Sequence, residues 1–288
     1  MAASYTAFIG SIPHYYDQYL GPLIFEEYGA DLARRVSVPP GGAVLETAAG
    51  TGIATRHLCN TLSKDVRIVA TDLNEPMLEL AKRKFDSRDN IEFQPADATR
   101  LPFSNASFDA VICQFSLMFF PDKFATVQET ARVLKPGGIF VFSLWDSSEH
   151  NHLVRTVTDT LARLFPHRPP PFFDTPYGYY RIDEVKPLLE EAGFGDIEIS
   201  ILPRVSRCDT ARQVALGYIL GTPVCIQIAE RGEYTVEKVV DSVEGALCET
   251  YGPSSIRAIP SQAWHASEVF GIRSRDPRSE NTRVDRRV

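Results

Sequence analysis

The chain has 288 residues, 44% of them hydrophobic and 23% charged, enough to bury a sizeable core in one large domain or in a domain with a small lid. Its formal net charge of −7 and pI of about 5.5 give no general attraction for phosphate backbones, which argues against a nucleic-acid partner. No run of about 18 apolar residues predicts a membrane span, and the N-terminus MAASYTAFIGSIPHYY lacks the basic start and long apolar stretch of a signal peptide.

The five cysteines, Cys59, Cys113, Cys208, Cys225 and Cys248, are scattered and odd in number, with no zinc spacing. They predict reduced thiols in a cytoplasmic protein and no metal site. In chain order, residues 43–48 read as a buried strand, 52–63 as a helix, 66–71 as a second strand and 75–86 as a helix with Pro76 in its first turn. Strands follow at 91–95 and 108–113, then a helix at 122–134 closed by Lys135-Pro136-Gly137-Gly138. A fifth, wholly apolar strand spans 139–145. This alternation is the signal for a parallel α/β sheet. Beyond it, 150–165 reads as a helix, 166–180 as an ordered, proline- and aromatic-rich loop, and 182–194 as a helix kinked at Pro187. Two further strands, 195–203 and 255–266, bracket helical patterns at about 209–220 and 233–250. The arginine-rich 271–288 reads as a disordered tail.

The sharpest feature is the first strand running into Glu46-Thr47-Ala48-Ala49-Gly50-Thr51-Gly52 and then a helix. A glycine turn at the carboxyl end of a parallel strand lets a ligand approach the backbone, and the helix N-terminus beyond it suits an anionic group. By itself such a turn is also what a tight connection needs. Asp72 closes the second strand, where an acid can accept from both ribose hydroxyls and disfavours a 2′-phosphate. Asp97-Ala98 follows the third, where an acid can accept from an exocyclic amine. Each acid alone could be a helix cap; three in order at successive strand ends are harder to explain that way. A dinucleotide fingerprint requires glycine or alanine where Gly50-Thr51-Gly52-Ile53-Ala54-Thr55 has threonine. Glu46 also has no role beside a pyrophosphate, whereas beside an ammonium and a sulfonium it does. The pattern therefore favours S-adenosylmethionine.

The segments VLETAAGTG, VRIVATDLNEPML, FQPADATRLPFSNASFDAVICQFSLMFFPD and VLKPGGIFVFSLWD resemble the class I S-adenosylmethionine-dependent methyltransferases, and among these the small-molecule enzymes related to ubiquinone and menaquinone biosynthesis. The resemblance implies a doubly wound, seven-stranded Rossmann-like sheet of order 3-2-1-4-5-7-6 with strand 7 antiparallel. It further implies an N-terminal helical lid over residues 1–40 (FIGSIPHYYDQYLGP resembles it) and a catalytic domain over 41–270. The stretch at about 205–252, between strands 6 and 7, would be a helical cap on the substrate. Carried over position by position, Glu46, Ala48, Gly50 and Gly52 form the cofactor loop, with Glu46 near the methionine ammonium. Asp72 holds the ribose hydroxyls, Leu73 and Met77 flank the adenine, Asp97 and the Ala98 amide meet its edge, and Gln114 and Phe115 border the methionine end. Ala48 departs from the family's frequent glycine.

Methyl transfer needs alignment above all, and a base only for a poorly acidic nucleophile. His14, His150 and His152 are the candidate bases, with surface or capping roles as the alternative for each. Tyr16, Tyr19, Phe119, Trp145 and Tyr179 are candidates for a pocket suited to an apolar or aromatic acceptor, or else pack the cap. The Asn/Asp-Pro-Pro-aromatic signature of base-amine methylation is replaced by Cys113-Gln114-Phe115-Ser116. The expected activity is methylation of oxygen or carbon on a small molecule. An RNA or protein methyltransferase and a non-catalytic cofactor-binding module are the alternatives, and monomer and homodimer are both open.

Overall fold

The computed structural model describes residues 7–86, 89–270 and 284–286. The chain forms two compact units, each built from separate stretches of sequence. The first, the sheet unit, comprises 28–144, 180–202 and 263–288, and the second, a helical unit, comprises 1–27, 145–179 and 203–262.

The strands are β1 (Ala43–Glu46), β2 (Arg67–Asp72), β3 (Ile91–Pro95), β4 (Phe108–Gln114), β5 (Leu134–Trp145), β6 (Phe194–Thr210), β7 (Ser254–Phe270) and β8 (Val284–Arg286). Their order is β3-β2-β1-β4-β5-β7-β6-β8, which contains the expected 3-2-1-4-5-7-6 series with β7 antiparallel and adds β8 beside β6. β8 pairs in parallel with β6, Ile199 opposite Val284. It is the part of the expected tail that lies within the described residues; 271–283 and 287–288 lie outside them.

The central strands are apolar on both faces because helices cover both, as a parallel sheet requires. Val44, Leu45, Val69, Val111, Ile112, Val141 and Phe142 are fully buried. On one face, Leu32 and Ala33 of α2 (Glu26–Arg35) and Ala54 and Leu58 of α3 (Ile53–Thr61) close over Val44, Ile68, Ala110, Ile112 and Val141. The register aligns the carboxyl ends of the strands: Glu46 lies opposite Ala70 and Ile112, Asp72 opposite Pro95, and Gln114 opposite Ser143. Residues chosen by the strand ends therefore meet at one sheet edge.

The helix stop at Lys135-Pro136-Gly137-Gly138 sits inside β5 as a bulge. Helix α5 (Lys123–Val133) ends, Leu134 pairs with Phe108, and pairing resumes only at Ile139 opposite Ala110. Gly137 has φ +80°, and a Cβ on Gly138 would stand 2.9 Å from the Lys135 carbonyl, so the bulge depends on both glycines. The strands expected at 195–203 and 255–266 run longer, over Phe194–Thr210 and Ser254–Phe270, and the added end of β6 belongs to the helical unit.

The helical unit opens with α1 (Ile12–Tyr15) and a π-helical segment, Tyr16–Phe25, that contains Pro22 and ends with the Glu26 amide on the Gly21 carbonyl. It packs on α9 (Ala211–Leu220) through Gly217, where a Cβ would come within 3.1 Å of Tyr19 and Leu20. Three helices, not two, lie between β6 and β7: α9, α10 (Val224–Arg231) and α11 (Val236–Tyr251). The eight-residue α10 follows Pro223 and fills the stretch between the two expected helices. Thr210 and Thr235 cap α9 and α11 by accepting from the Gln213 and Lys238 amides at 3.2 Å. Arg212 joins the two helices through Asp241 at 2.6 Å and Glu244 at 3.0 Å, with Glu237 as a third partner. α6 (His152–Leu164) packs against α11, and the proline-rich loop contains one short helix, α7 (Asp174–Gly178).

In the sheet unit, His265 of β7 is fully buried and its Nδ1 stands 3.1 Å from Asp31 Oδ2 on α2, where Arg35 Nε also donates at 2.7 Å. Both partners hold the Asp31 carboxyl well below its usual range against the opposing effect of burial. A carboxyl depressed in the folded state adds stability above its unfolded pKa and loses it as pH falls. We therefore expect His265→Ala to destabilise the protein by about 3 kcal/mol. In acid melts, the gap between variant and parent should narrow below about pH 4; a gap unchanged between pH 7 and pH 3 would remove Asp31 as the cause.

Candidate functional site

Every feature of this site lies in the sheet unit. After β1 the backbone makes a turn in which Ala48, Gly50 and Gly52 all have left-handed φ, at +52°, +55° and +82°. Gly50 and Gly52 adopt such angles without strain, whereas Ala48 does so at a cost of about 1–2 kcal/mol. This explains why glycine is frequent at that position in the resembling family. The turn is fixed from two sides. The Ala49 amide donates to the Thr71 carbonyl at 2.8 Å, and the Gly50 amide donates to Asp72 Oδ2 at 2.8 Å. Gly52 packs so closely that a Cβ would lie 3.1 Å from Ala81 and from Phe85. Lys84 Nζ donates to the Thr51 carbonyl at 2.8 Å.

Three acids stand at successive strand ends in three different environments. Glu46 is 1% exposed, and Thr55 Oγ1 on α3 donates to its Oε2 at 2.6 Å. Burial pushes its pKa up to about 8, and the neighbouring Asp72 charge adds to this, against the hydrogen bond from Thr55. Asp72, 6% exposed, accepts from Gly50 through Oδ2 and from the Asn74 amide (2.7 Å) and Asn74 Nδ2 (3.3 Å) through Oδ1. Burial raises its pKa and these donors oppose the shift. The Leu73 backbone amide adds to these donors, so the carboxylate sits in a cluster of neutral N–H groups at the strand end. Asp97 is exposed, and its Oδ1 accepts both the amide (2.8 Å) and the hydroxyl (2.7 Å) of Thr99, a turn-capping geometry. Ala98 beside it is buried.

The apolar positions differ just as much. Leu73 is 61% exposed beside Asp72, whereas Met77 on α4 (Glu75–Lys82) is 4% exposed, with its Cε 3.5 Å from where a Cβ on Gly50 would lie. Gln114 ends β4 half-buried. Phe115 follows with φ +51° and 5% exposure. Its amide donates to the carbonyl and Oγ of Ser143 at 3.1 and 3.2 Å, and the Tyr28 ring of α2 meets it edge-on at 5.4 Å. Phe119 is half-buried in the short 3-10 turn Leu117–Phe119.

The remaining candidates belong to the helical unit. His14 and His150 are exposed, and His152 begins α6 and lines an open groove with Arg155, Asp159, Arg163, Glu249 and Tyr251. Trp145, 3% exposed, stacks on Tyr177 at 5.7 Å and meets Phe25 at 5.9 Å. Tyr16 stacks on Phe25 at 5.0 Å and Tyr19 on Tyr15 at 6.0 Å; Tyr179 is half-buried after α7. The Tyr16, Tyr19 and Trp145 rings each pack on another ring of that unit. Among the described residues, no group of His, Cys, Asp and Glu is placed to hold a metal ion.

Two contributors escaped the sequence pattern: Thr55, which holds Glu46, and Ser143, which fixes Phe115. The first had a trace in the threonine that spoils the dinucleotide fingerprint. The second is a small polar residue in an apolar strand, with nothing local to mark its partner.

The glycine turn and the acids thus stand at the carboxyl ends of the strands of an open doubly wound sheet, where such sheets bind their ligands. Residues 45–142 match the family described as a methyltransferase domain. A demethylmenaquinone methyltransferase of Clavibacter sepedonicus is 41% identical over 108 residues, 38% of this chain and 43% of the relative. One from Staphylococcus saprophyticus is 34% identical over 129 residues, 44% of this chain and 55% of the relative. The chain thus spans about half the length of such relatives. The YcgJ protein of Bacillus subtilis shares the fold, with a TM-score of 0.55 at 19% identity over 86% of this chain and 100% of that one.

The strained turn makes a direct prediction. We expect Ala48→Gly to leave stability unchanged or raise it by up to about 1 kcal/mol, because left-handed strain is relieved while unfolded-state entropy rises. Gly52→Ala should cost about 2–3 kcal/mol, from backbone strain and overpacking against Ala81 and Phe85. Urea melts of both variants check the pair, and a Gly52→Ala protein as stable as the parent would contradict the packing described.

Proposed function

We propose that the protein transfers the methyl group of S-adenosylmethionine to a small, apolar or aromatic acceptor through an oxygen or carbon nucleophile, releasing S-adenosylhomocysteine. The observation that carries this reading is the donor set at the sheet edge. Glu46, Asp72 and Asp97 offer acceptors to an ammonium, a ribose diol and an aromatic amine, and Leu73, 61% exposed next to Asp72, offers an apolar face for a flat base. These residues fit the cofactor. Glu46 would take the methionine ammonium, and Asp72 the ribose hydroxyls. Leu73 and Met77 would flank the adenine, Asp97 and the Ala98 amide would meet its edge, and Gln114 and Phe115 would border the methionine end over the turn Ala48, Gly50 and Gly52.

When bound, the cofactor supplies a methyl group activated on a sulfonium. The acceptor's oxygen or carbon would take that methyl group, with the bonding electron pair left on the departing thioether, and the acceptor's proton would pass to solvent or a base. The chain's residues hold the reacting groups in line, an alignment worth up to about 7–11 kcal/mol, and keep water from the charged centre. His14, His150 and His152 are proposed as base candidates if the acceptor needs one.

The demethylmenaquinone methyltransferase relatives support a small-molecule, ring-bearing acceptor, as do the aromatic-rich helical unit and the acidic balance. In a solved neighbour, the phosphoethanolamine N-methyltransferase 2 of Haemonchus contortus, crystallised with S-adenosyl-L-methionine, the fold matches with a TM-score of 0.54 at 16% identity over 90% of this chain and 57% of that one. Among the described residues no helix is long and apolar enough to cross a membrane. All five cysteines are free thiols, which supports a reducing, cytoplasmic setting.

Deuteromethyl-labelled S-adenosylmethionine, incubated with the protein and a cell extract split into small-molecule, RNA and protein fractions, tests the activity. Label in a discrete small molecule is the expected result; label confined to RNA or protein would overturn the acceptor class. Asp72→Ala should weaken S-adenosylhomocysteine binding by about 1–3 kcal/mol in calorimetry, and an unchanged affinity would move the ribose elsewhere.

A further inference from the structure

Glu46 is a carboxyl group in an unusual position. It is 1% exposed at the end of a central strand, and Thr55 hydrogen-bonds its carboxyl through the hydroxyl, on Oε2 at 2.6 Å, and through the backbone amide. The titratable and charged groups around it give no positive counter-charge. At the end of β2 stands Asp72, another carboxyl. On β4, Cys113 is a buried thiol pushed up to about 12 by burial, with Glu46 among the causes. On α3, Arg56 is turned away onto the Phe85 ring at 3.9 Å and towards Asp89, and His57 lies beside Gln114 at Gly29. Lys84, after α4, is on the Thr51 carbonyl. A buried acid with only neutral donors and a neighbouring acid holds its proton unless a cation arrives to replace it.

Resting on the cofactor reading above, we infer that Thr55 and Glu46 together form a proton-releasing selector for the ligand's ammonium group. Thr55 is the positioning residue and Glu46 the group that exchanges its proton for the cation. In the empty site Glu46 is the neutral acid. When a ligand bearing –NH3+ enters, the Glu46 O–H bond breaks, the proton leaves to solvent, and the carboxylate so formed pairs with the ammonium, which keeps all three of its protons. Charge and atoms balance with no other reactant. The hydroxyl on Oε2 stabilises the new carboxylate and sets its plane, leaving Oε1 for the ligand. A nucleoside without the amino-acid arm has nothing to exchange for the proton and leaves Glu46 neutral. The threonine that departs from the dinucleotide pattern is thereby the element that fits the site to an amino-acid-bearing nucleoside.

Release of a proton on binding means that affinity rises with pH while the empty site is still protonated. Glu46 is held near 8 in the folded protein, so the rise should run from about pH 6 to 8 and then level off.

The test is titration calorimetry of the intact protein with S-adenosylhomocysteine and, separately, with 5′-deoxy-5′-methylthioadenosine, which lacks the amino-acid arm. Each titration is run at pH 7 in buffers of differing ionisation enthalpy to count protons. The parent should release close to one proton with the first ligand and none with the second. Glu46→Gln, isosteric and neutral, should release none with either, and its affinity should be flat from pH 6 to 8. Thr55→Val should weaken S-adenosylhomocysteine roughly tenfold while leaving methylthioadenosine unchanged, and Thr55→Ser should restore the loss. Tight S-adenosylhomocysteine binding without proton release would overturn the inference and leave the cofactor reading standing. A parent protein that binds neither ligand would overturn both. Equal weakening of both ligands by Thr55→Val would show the hydroxyl to be structural only, and the selector would fall with it.

Discussion

A carboxyl group buried at the carboxyl end of a central parallel strand costs free energy unless it stays protonated or meets a cation. The edge of this sheet is organised around that constraint. Glu46 is there because β1 runs between β2 and β4, so that its last residue lies between two neighbouring strand ends with helix α3 starting just beyond. The glycine turn follows from the same geometry. The chain must reverse from strand to helix within a few residues, which requires left-handed φ at Ala48, Gly50 and Gly52, and it must do so without filling the space a ligand needs. Asp72 then serves two ends. Its Oδ2 fixes the turn through the Gly50 amide, and its position at the end of β2 keeps a second acid near Glu46, which reinforces the tendency of Glu46 to hold its proton.

Much of this was legible in the sequence because it depends on local rules. Strand–helix alternation, the glycine turn and the acids at the strand ends are written in consecutive residues, and the parallel order follows from handedness and short connections once the motifs are in register. What escaped was set by partners distant in sequence. Thr55 and Ser143 acquire their roles only when α3 packs beside β1 and β5 beside β4. The buried pair of His265 and Asp31 joins residues from opposite ends of the chain, and neither residue type marks the other. Leu73 shows the converse: an exposed leucine has no local explanation, and its place next to Asp72 gives it one.

The helical unit was harder to read for a physical reason. It gathers the N-terminal segment, the stretch after β5 and the insertion between β6 and β7, and its helices are held by contacts between these separated stretches. Gly217 lets the π-helical segment approach α9, and Arg212 ties α9 to α11. No periodic pattern announces a π-helix, whose wider turn falls outside the 3.6-residue rhythm. Three of the aromatic residues expected at the pocket stack on other rings of this unit: Tyr16 on Phe25, Tyr19 on Tyr15 and Trp145 on Tyr177. Aromatic pairs of this kind contribute about 0.5–1.5 kcal/mol beyond their buried area, so packing alone is a sufficient reason for them to be in this unit.

Stability and ligand recognition meet at Glu46. Because its carboxyl is raised above the unfolded value, its contribution to the stability of the ligand-free fold is fully present below about pH 4.5 and is lost as pH rises towards 8. A ligand that pairs with the carboxylate reverses this, since the charged form is then the one the protein stabilises. The same buried acid therefore makes the ligand-free fold weaker with rising pH and an ammonium-bearing ligand more tightly bound. Moving Glu46 to the surface would abolish both effects, because water would screen the charge in either state. On the proposal made for Glu46, burial that looks unfavourable for folding is what would separate a cationic ligand from a neutral one in free energy.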